Sequence, residues 1–320
     1  MIDGMPLDEM KTYKGRQAPP DNFEEFWQKE IDTLPEEPNY TFRQKNFHLA
    51  SAHFYELTFE AHDGSEIYTK CIFPNVDKEV PVIFQFHGYQ GQSPDWSQGL
   101  KYIANNCAFI AMDVRGQAGH SIDNKTYKGN TAKGHIVRGL EQGPHHLFFK
   151  NVYLDVYQLI QIISSLDQIN ANEMYTSGAS QGGALAIVGA ALTQKIKKVA
   201  IAYPFLSDFN RILEVGNHSP AYDELFRYFK FQDPTHETEQ QVMETLAYID
   251  IKNFADKMQA KSQMIITLED SVCYPSTQFA VYNRLASDSK KLILLPEYGH
   301  DVINVKIPDQ MYNFVLDTTF

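Results

Sequence analysis

The sequence predicts an α/β fold, with a mostly parallel central sheet, helices on both faces and an antiparallel hairpin at its entry. Two observations carry this. After Pro81, six short apolar runs (82–86, 108–114, 174–177, 199–203, 264–268 and 292–295) are separated by helical patterns, as expected of strands buried on both faces. Before them, Tyr55, Leu57, Phe59 and Ala61 alternate with Glu56, Thr58 and Glu60; Asp63-Gly64 follows, and alternation resumes at Ile67, Thr69, Cys71 and Phe73. Alternation on either side of a DG turn predicts a hairpin with one wet face.

Taken in order, residues 1–46 form an N-terminal extension punctuated by Pro19, Pro20, Pro35 and Pro38 around a short amphipathic helix at 23–31. The hairpin and the first buried run come next. Between residues 151 and 169, Val152, Val156, Leu159, Ile160, Ile163 and Leu166 keep helical spacing. The run 174–177 leads directly into a helical stretch at 184–192, and a last helical pattern covers 309–316. Two long connections stand out: 115–150, and 206–260, which reads as a helical insertion. Insertions of this kind shape a pocket or an oligomer contact. With no repeat, low-complexity tract or linker, residues 1–320 read as a single domain. A hairpin leading into such a sheet resembles an α/β-hydrolase.

Composition narrows the function. Lys and Arg number 28 against 40 Asp and Glu, a net charge of −12, and no basic run is present. This argues against a nucleic-acid partner or an anionic membrane surface. The longest apolar candidate, 182–192, is too short for a membrane span. Residues 1–15 have no apolar core of a signal peptide, and three scattered cysteines (Cys71, Cys107 and Cys273) form neither a disulfide framework nor a zinc pattern. The expectation is a cytoplasmic globular enzyme.

The strand at 174–177 runs into Gly178-Ala179-Ser180-Gln181-Gly182-Gly183 and then a helix. This is G-x-S-x-G in strand–turn–helix context, where small residues permit a tight turn that thrusts Ser180 above the sheet. Acyl transfer needs two donors aimed at the oxyanion. The Gln181 backbone N–H is one candidate, and the Tyr89 N–H is the other, in the loop His87-Gly88-Tyr89-Gln90-Gly91, where Gly88 lets the backbone turn closely. Among eleven histidines, His48, His53 and His62 lie near the hairpin, and the pair His145-His146 lacks metal-ligand spacing, so no metal or other cofactor is expected. His300 follows the last strand and is the candidate base. Asp270, just past 264–268, is the candidate orienting acid, with Asp208 as its competitor. The order Ser180, Asp270, His300 is that of α/β-hydrolases.

Further motifs make the likeness specific. Pro6-Leu7, the stretch from Ala18-Pro19 to Trp27, His87-Gly88-Tyr89, Arg115-Gly116-Gln117, Gly134-His135-Ile136, Arg138-Gly139, Val152-Tyr153-Leu154-Asp155, the elbow GASQGG and the segment Asp270 to Asn283 follow one another in order. Together they resemble carbohydrate esterase family 7, the acetyl xylan esterase and cephalosporin-C deacetylase group, over nearly the whole chain. The resemblance implies Ser180 as nucleophile, His300 as general base, Asp270 as its orienter, and Tyr89 and Gln181 as oxyanion donors. Arg115 and Gln117 are implied to support the site. It also implies a small acetylated ester as substrate, no metal, and an intracellular homo-oligomer, a hexamer whose sites face an internal cavity. Two positions depart from the family pattern. Asp301 stands where Glu usually follows the histidine, with Arg115 as its candidate partner, and Thr267-Leu268-Glu269 precede Asp270 in place of a Gly-Leu-apolar sequence.

Overall fold

The computed structural model describes residues 2–128, 134–216, 219–301 and 305–318. Residues 129–133 of the first long connection and 217–218 of the insertion therefore lie outside the described residues. Nine strands form one sheet: β1 (Tyr40–Lys45), β2 (Ala52–Glu60), β3 (Glu66–Pro74), β4 (Val80–Phe86), β5 (Ala108–Met112), β6 (Ile169–Ala179), β7 (Lys198–Ala202), β8 (Lys261–Thr267) and β9 (Lys290–Leu295). Their spatial order is β1-β2-β3-β5-β4-β6-β7-β8-β9. The pairs among β1, β2, β3 and β5 are antiparallel, and those from β5 through β4 to β9 are parallel. This is the α/β-hydrolase fold that the hairpin and the buried runs predict.

The hairpin pairs Phe59 with Ile67 and Leu57 with Thr69. Leu57, Phe59, Ile67, Thr69 and Cys71 are all buried, so the alternating set turns inward as expected. β1 is an addition to the sequence reading. It is a largely exposed edge strand in the N-terminal extension, anchored by Phe42 against Tyr55 and Phe73 with ring centroids 5.8 and 6.2 Å apart. β6 begins earlier than its apolar run because Ile169 pairs with Val80 while residues 171–173 stay exposed.

Two cores flank the sheet. The larger gathers the helices Phe148–Ser164 and Gln181–Thr193, and the smaller lies under Leu100–Ile103 and Ile307–Leu316. The helix Gln181–Thr193 is apolar all round and buried on every side as far as Ala191, the pattern of an element with no solvent face. The helix Phe23–Asp32 buries Phe23, Phe26, Trp27 and Glu30 at helical spacing. Its Phe23 and Trp27 rings meet Phe254, each with centroids 5.1 Å apart, so the extension is packed onto residues 206–260. That segment carries the helices Phe209–Val215, Asp223–Phe231, Glu239–Leu246 and Ile251–Ala255. Among the described residues, no helix is long and apolar enough to cross a membrane.

Candidate active site

The corner between β6 and the helix Gln181–Thr193 sets the geometry. Ser180 has φ 55° and ψ −123°, a left-handed backbone that costs a non-glycine residue about 1–3 kcal/mol and persists only where packing imposes it. The packing is visible at its neighbours. A Cβ on Gly178 would lie 2.2 Å from the Gly182 carbonyl carbon, and one on Gly182 would lie 2.1 Å from the Phe86 oxygen. Strand, turn and helix are thus in backbone contact, which explains the glycines of the motif. Backbone bonds from Ser180 N to Ala202 O (3.0 Å) and from Phe205 N to Ser180 O (3.1 Å) fix the serine further. Its side chain is 8% exposed and is in hydrogen-bond contact with Cys273, whose thiol burial keeps neutral by pushing it well above its ordinary range.

Asp270 and His300 come together at the ends of β8 and β9. Asp270 Oδ2 lies 2.9 Å from His300 Nδ1. The carboxylate is fully buried and held by four further donors: the Val272 and Cys273 N–H groups at 2.8 Å, the Thr267 hydroxyl at 3.1 Å and Gln278 Nε2 at 3.3 Å. Thr267, which departs from the family pattern, therefore contacts the acid directly. Tyr203 packs edge-on against the His300 ring at 4.8 Å. Ser180 and His300 line one cavity of about 470 Å3, together with His87, Gly88, Gln85 and Asp301. Asp208, the competing acid, is elsewhere: its carboxylate accepts from the Tyr13 hydroxyl at 2.6 Å and the Arg16 N–H at 3.1 Å, pinning the N-terminal extension.

The two loops carrying Tyr89 and Gln181 are tied together. Gln117 Oε1 accepts from the Gln90 N–H at 2.7 Å, and Gln117 Nε2 donates to Gln181 Oε1 at 2.7 Å. Neither the Tyr89 nor the Gln181 backbone N–H is donated to an acceptor among the described residues. His87 holds the loop from below, with Nδ1 2.8 Å from Gly88 O and Nε2 accepting from the Val114 N–H at 3.0 Å. Burial lowers its pKa, so the ring is neutral and fully engaged. At Gly88 the expectation is corrected: a Cβ there would meet nothing within 4 Å, and its φ is not positive. The close approach is made by Gly182, not Gly88.

Arg115 is fully buried. Its Nε and Nη2 bind both oxygens of Asp155 at 2.7 Å, and Nη1 reaches Asp63 of the hairpin turn at 2.6 Å. Bidentate pairing of this kind is the geometry in which a buried guanidinium is tolerated. Arg115 does not partner Asp301. The Asp301 carboxylate instead accepts from the Gly299 N–H at 2.8 Å, two residues back, which its shorter side chain reaches locally.

Sequence reading did not single out Glu224 as a site residue. It is 4% exposed on the helix Asp223–Phe231 and accepts from the Tyr89 hydroxyl at 2.8 Å. Burial pushes its carboxyl up against the hydrogen bonds that favour the anion. Nothing in a single sequence links positions 89 and 224, because the contact is made by tertiary packing alone. Among the described residues, no group of three or more His, Cys, Asp and Glu side chains could hold a metal ion. A larger groove of about 1200 Å3, between Arg16, Glu214, Phe231 and Glu244, contains neither Ser180 nor His300.

A strained serine between strand and helix, on a sheet of this order, is the corner that α/β-hydrolases share, and the chain has that fold. Comparison with known proteins then gives the family. Residues 1–318 match the model described as acetyl xylan esterase (AXE1), and the chain belongs to that family of carboxylic ester hydrolases, the group named by the resemblance above. It is 36% identical to acetyl xylan esterase 1 from Thermoanaerobacterium sp. JW/SL YS485, with a TM-score of 0.94 and 98% of each chain covered. Against an acetyl xylan esterase from Paenibacillus sp. R4 the identity is 30% and the TM-score 0.92, covering 98% of this chain and 100% of the other. The acetyl esterase Axe7A of Xylanibacter ruminicola is 24% identical over 281 residues. That match covers 86% of this chain but only 62% of the length of Axe7A.

Proposed function

We propose that the protein is a serine esterase that removes O-acetyl groups from small acetylated substrates such as xylo-oligosaccharides, through an acetyl-enzyme intermediate. The observation that carries this reading is His300, 2.9 Å from Asp270, sharing a cavity with a serine on a strained strand–helix turn. The family description and the names of the relatives supply the substrate class.

With Nδ1 bonded to Asp270, His300 has Nε2 left to take the Ser180 proton as Oγ attacks the acetyl carbonyl. Asp270 fixes the tautomer and stabilises the imidazolium, and its four further donors hold the carboxylate in place. The Tyr89 and Gln181 N–H groups receive the oxyanion; one such donor contributes about 3–4 kcal/mol to the barrier lowering. His300 then gives its proton to the leaving sugar alcohol, and water repeats the sequence on the acetyl-serine. Arg115 and Gln117 support the loops and do not react. Cephalosporin C, also an acetyl ester, is proposed from the family resemblance as a second substrate. A homohexameric assembly and a cytoplasmic location are proposed from the family resemblance; sedimentation as a stable monomer would refute the hexamer.

The test is acetate release from acetylated xylo-oligosaccharides by wild type beside Ser180→Ala. Acetate from wild type alone supports nucleophile and substrate together. No acetate from either folded protein rejects the substrate assignment. Acetyl esters should also outrun butyryl esters; equal rates would favour a hydrolase of longer esters.

A further inference from the structure

The motif Gly134-His135-Ile136 is not used by the reaction, yet it encloses a carboxylate. Gly134 has φ +84°, and the peptide N–H groups that follow turn toward Glu224. His135 N–H donates to Oε1 at 2.8 Å, Val137 N–H lies 3.4 Å from Oε2, and Ile136 N–H also bonds the carboxylate. Successive amides after a left-handed residue form an anion-binding concavity. Here its occupant is a side chain of the same protein. The fit is close: a Cβ on Gly134 would fall 2.1 Å from Glu224 Oε1.

The same carboxylate oxygen takes the Tyr89 hydroxyl at 2.8 Å, and the His135 N–H also lies 2.8 Å from that hydroxyl oxygen. His135 is itself locked, with Nε2 2.9 Å from Gly116 O, one residue before Gln117. The Tyr89 ring is packed against Phe205 at 5.1 Å, and the Phe205 N–H bonds the Ser180 carbonyl. The far end of the Tyr89 side chain is therefore fixed to the 206–260 insertion, while its backbone carries an unengaged N–H beside the serine loop.

We propose that Glu224 is a positioning residue for the ester hydrolysis: seated in the 134–137 amide nest, it anchors the Tyr89 hydroxyl and so aims the Tyr89 N–H at the developing oxyanion. This deepens the proposed function and rests on Tyr89 being an oxyanion donor. The anchor acts through Tyr89, and Glu224 touches no reacting atom. Its effect belongs to kcat, because a donor aimed at the oxyanion stabilises the transition state more than the bound ester.

The test compares wild type, Ser180→Ala, Tyr89→Phe, Glu224→Gln and the double variant Tyr89→Phe/Glu224→Gln on 4-nitrophenyl acetate, measuring kcat and KM separately. Tyr89→Phe removes a single oxygen and keeps the ring packing, so it reads the link without unfolding the site. The expected result is a fall in kcat of about 10-fold for each single variant, short of the 10²–10³-fold cost of losing a donor outright. KM should stay within about twofold, and the double variant should lose no more than the worse single one. Wild-type kcat in Tyr89→Phe, or losses that multiply in the double variant, would overturn the anchor while a dead Ser180→Ala leaves the esterase reading standing. Equal rates for wild type and Ser180→Ala would overturn the esterase reading and the anchor with it.

Discussion

Replacing Gly182 by alanine tests whether backbone contact between helix and strand is what aims the site. A Cβ at this position would sit 2.1 Å from the Phe86 oxygen, where ordinary contact begins at 3.4 Å. The two must separate by 3.4 − 2.1 = 1.3 Å. No side chain can yield, because the obstacle is the carbonyl of β4 immediately before the loop of His87, Gly88 and Tyr89. The separation therefore passes directly to both loops proposed to hold the oxyanion: Gln181 precedes Gly182 on one side, and Tyr89 follows Phe86 on the other. Overpacking of this kind costs about 3 kcal/mol, which for a chain of this length lowers Tm by roughly 4–5 °C. A misplacement near 1 Å costs about 100-fold in rate. Thermal denaturation and steady-state acetyl ester hydrolysis read the two effects. Gly88→Ala is the control, since its Cβ enters open space, and its Tm should match wild type. A Gly182→Ala protein with wild-type Tm and kcat within twofold would refute the reasoning.

Two further outcomes concern buried charge. Asp155→Ala leaves Arg115 buried without its bidentate partner and should cost about 3–5 kcal/mol in denaturant unfolding; a loss under about 1 kcal/mol would mean that Asp63 and Asp123, the other carboxylates within 4 Å, suffice. Acid sensitivity should come from His62 and His135, both held at a pKa of about 4, chiefly by burial, against an ordinary 6.5. For His62, Lys150, Arg115 and Lys125 add to the depression and Asp63 opposes it. Because the unfolded chain takes up these protons first, stability is full above pH 6.5 and falls steadily as pH drops toward 4. Each group contributes about 3 kcal/mol across that window. Burial lowers the His87 pKa in the same sense, so His62→Gln should remove part of the decline measured by denaturant titrations at pH 7, 6 and 5, and an unchanged slope would reject the assignment.

How much of this was legible in the sequence follows from the range of the interactions. The buried strands and the Gly178–Gly183 turn declare themselves because their constraints are local: a run of apolar residues needs two covered faces, and a turn in backbone contact needs glycine. Asp270 and His300 were findable for a related reason, since each lies just beyond a strand and the fold delivers strand ends to one rim. β1 was not, because an exposed edge strand of mixed residues, Tyr40–Lys45, carries no buried stripe and is ordered by Phe42 alone reaching Tyr55 and Phe73. The sequence suggests Asp301 as a partner of Arg115, whereas the guanidinium pairs with Asp155 and Asp63; sequence proximity to a motif says nothing about which of several carboxylates a buried guanidinium will meet. The Glu224 contact shows the same limit in its sharpest form. A buried acid 135 residues from the tyrosine it holds has no periodicity, spacing or composition to betray it. It also explains why a motif such as Gly134-His135-Ile136 can be recognisable without a reacting side chain: the amides of that loop are occupied, and what they bind is the acid that takes the Tyr89 hydroxyl.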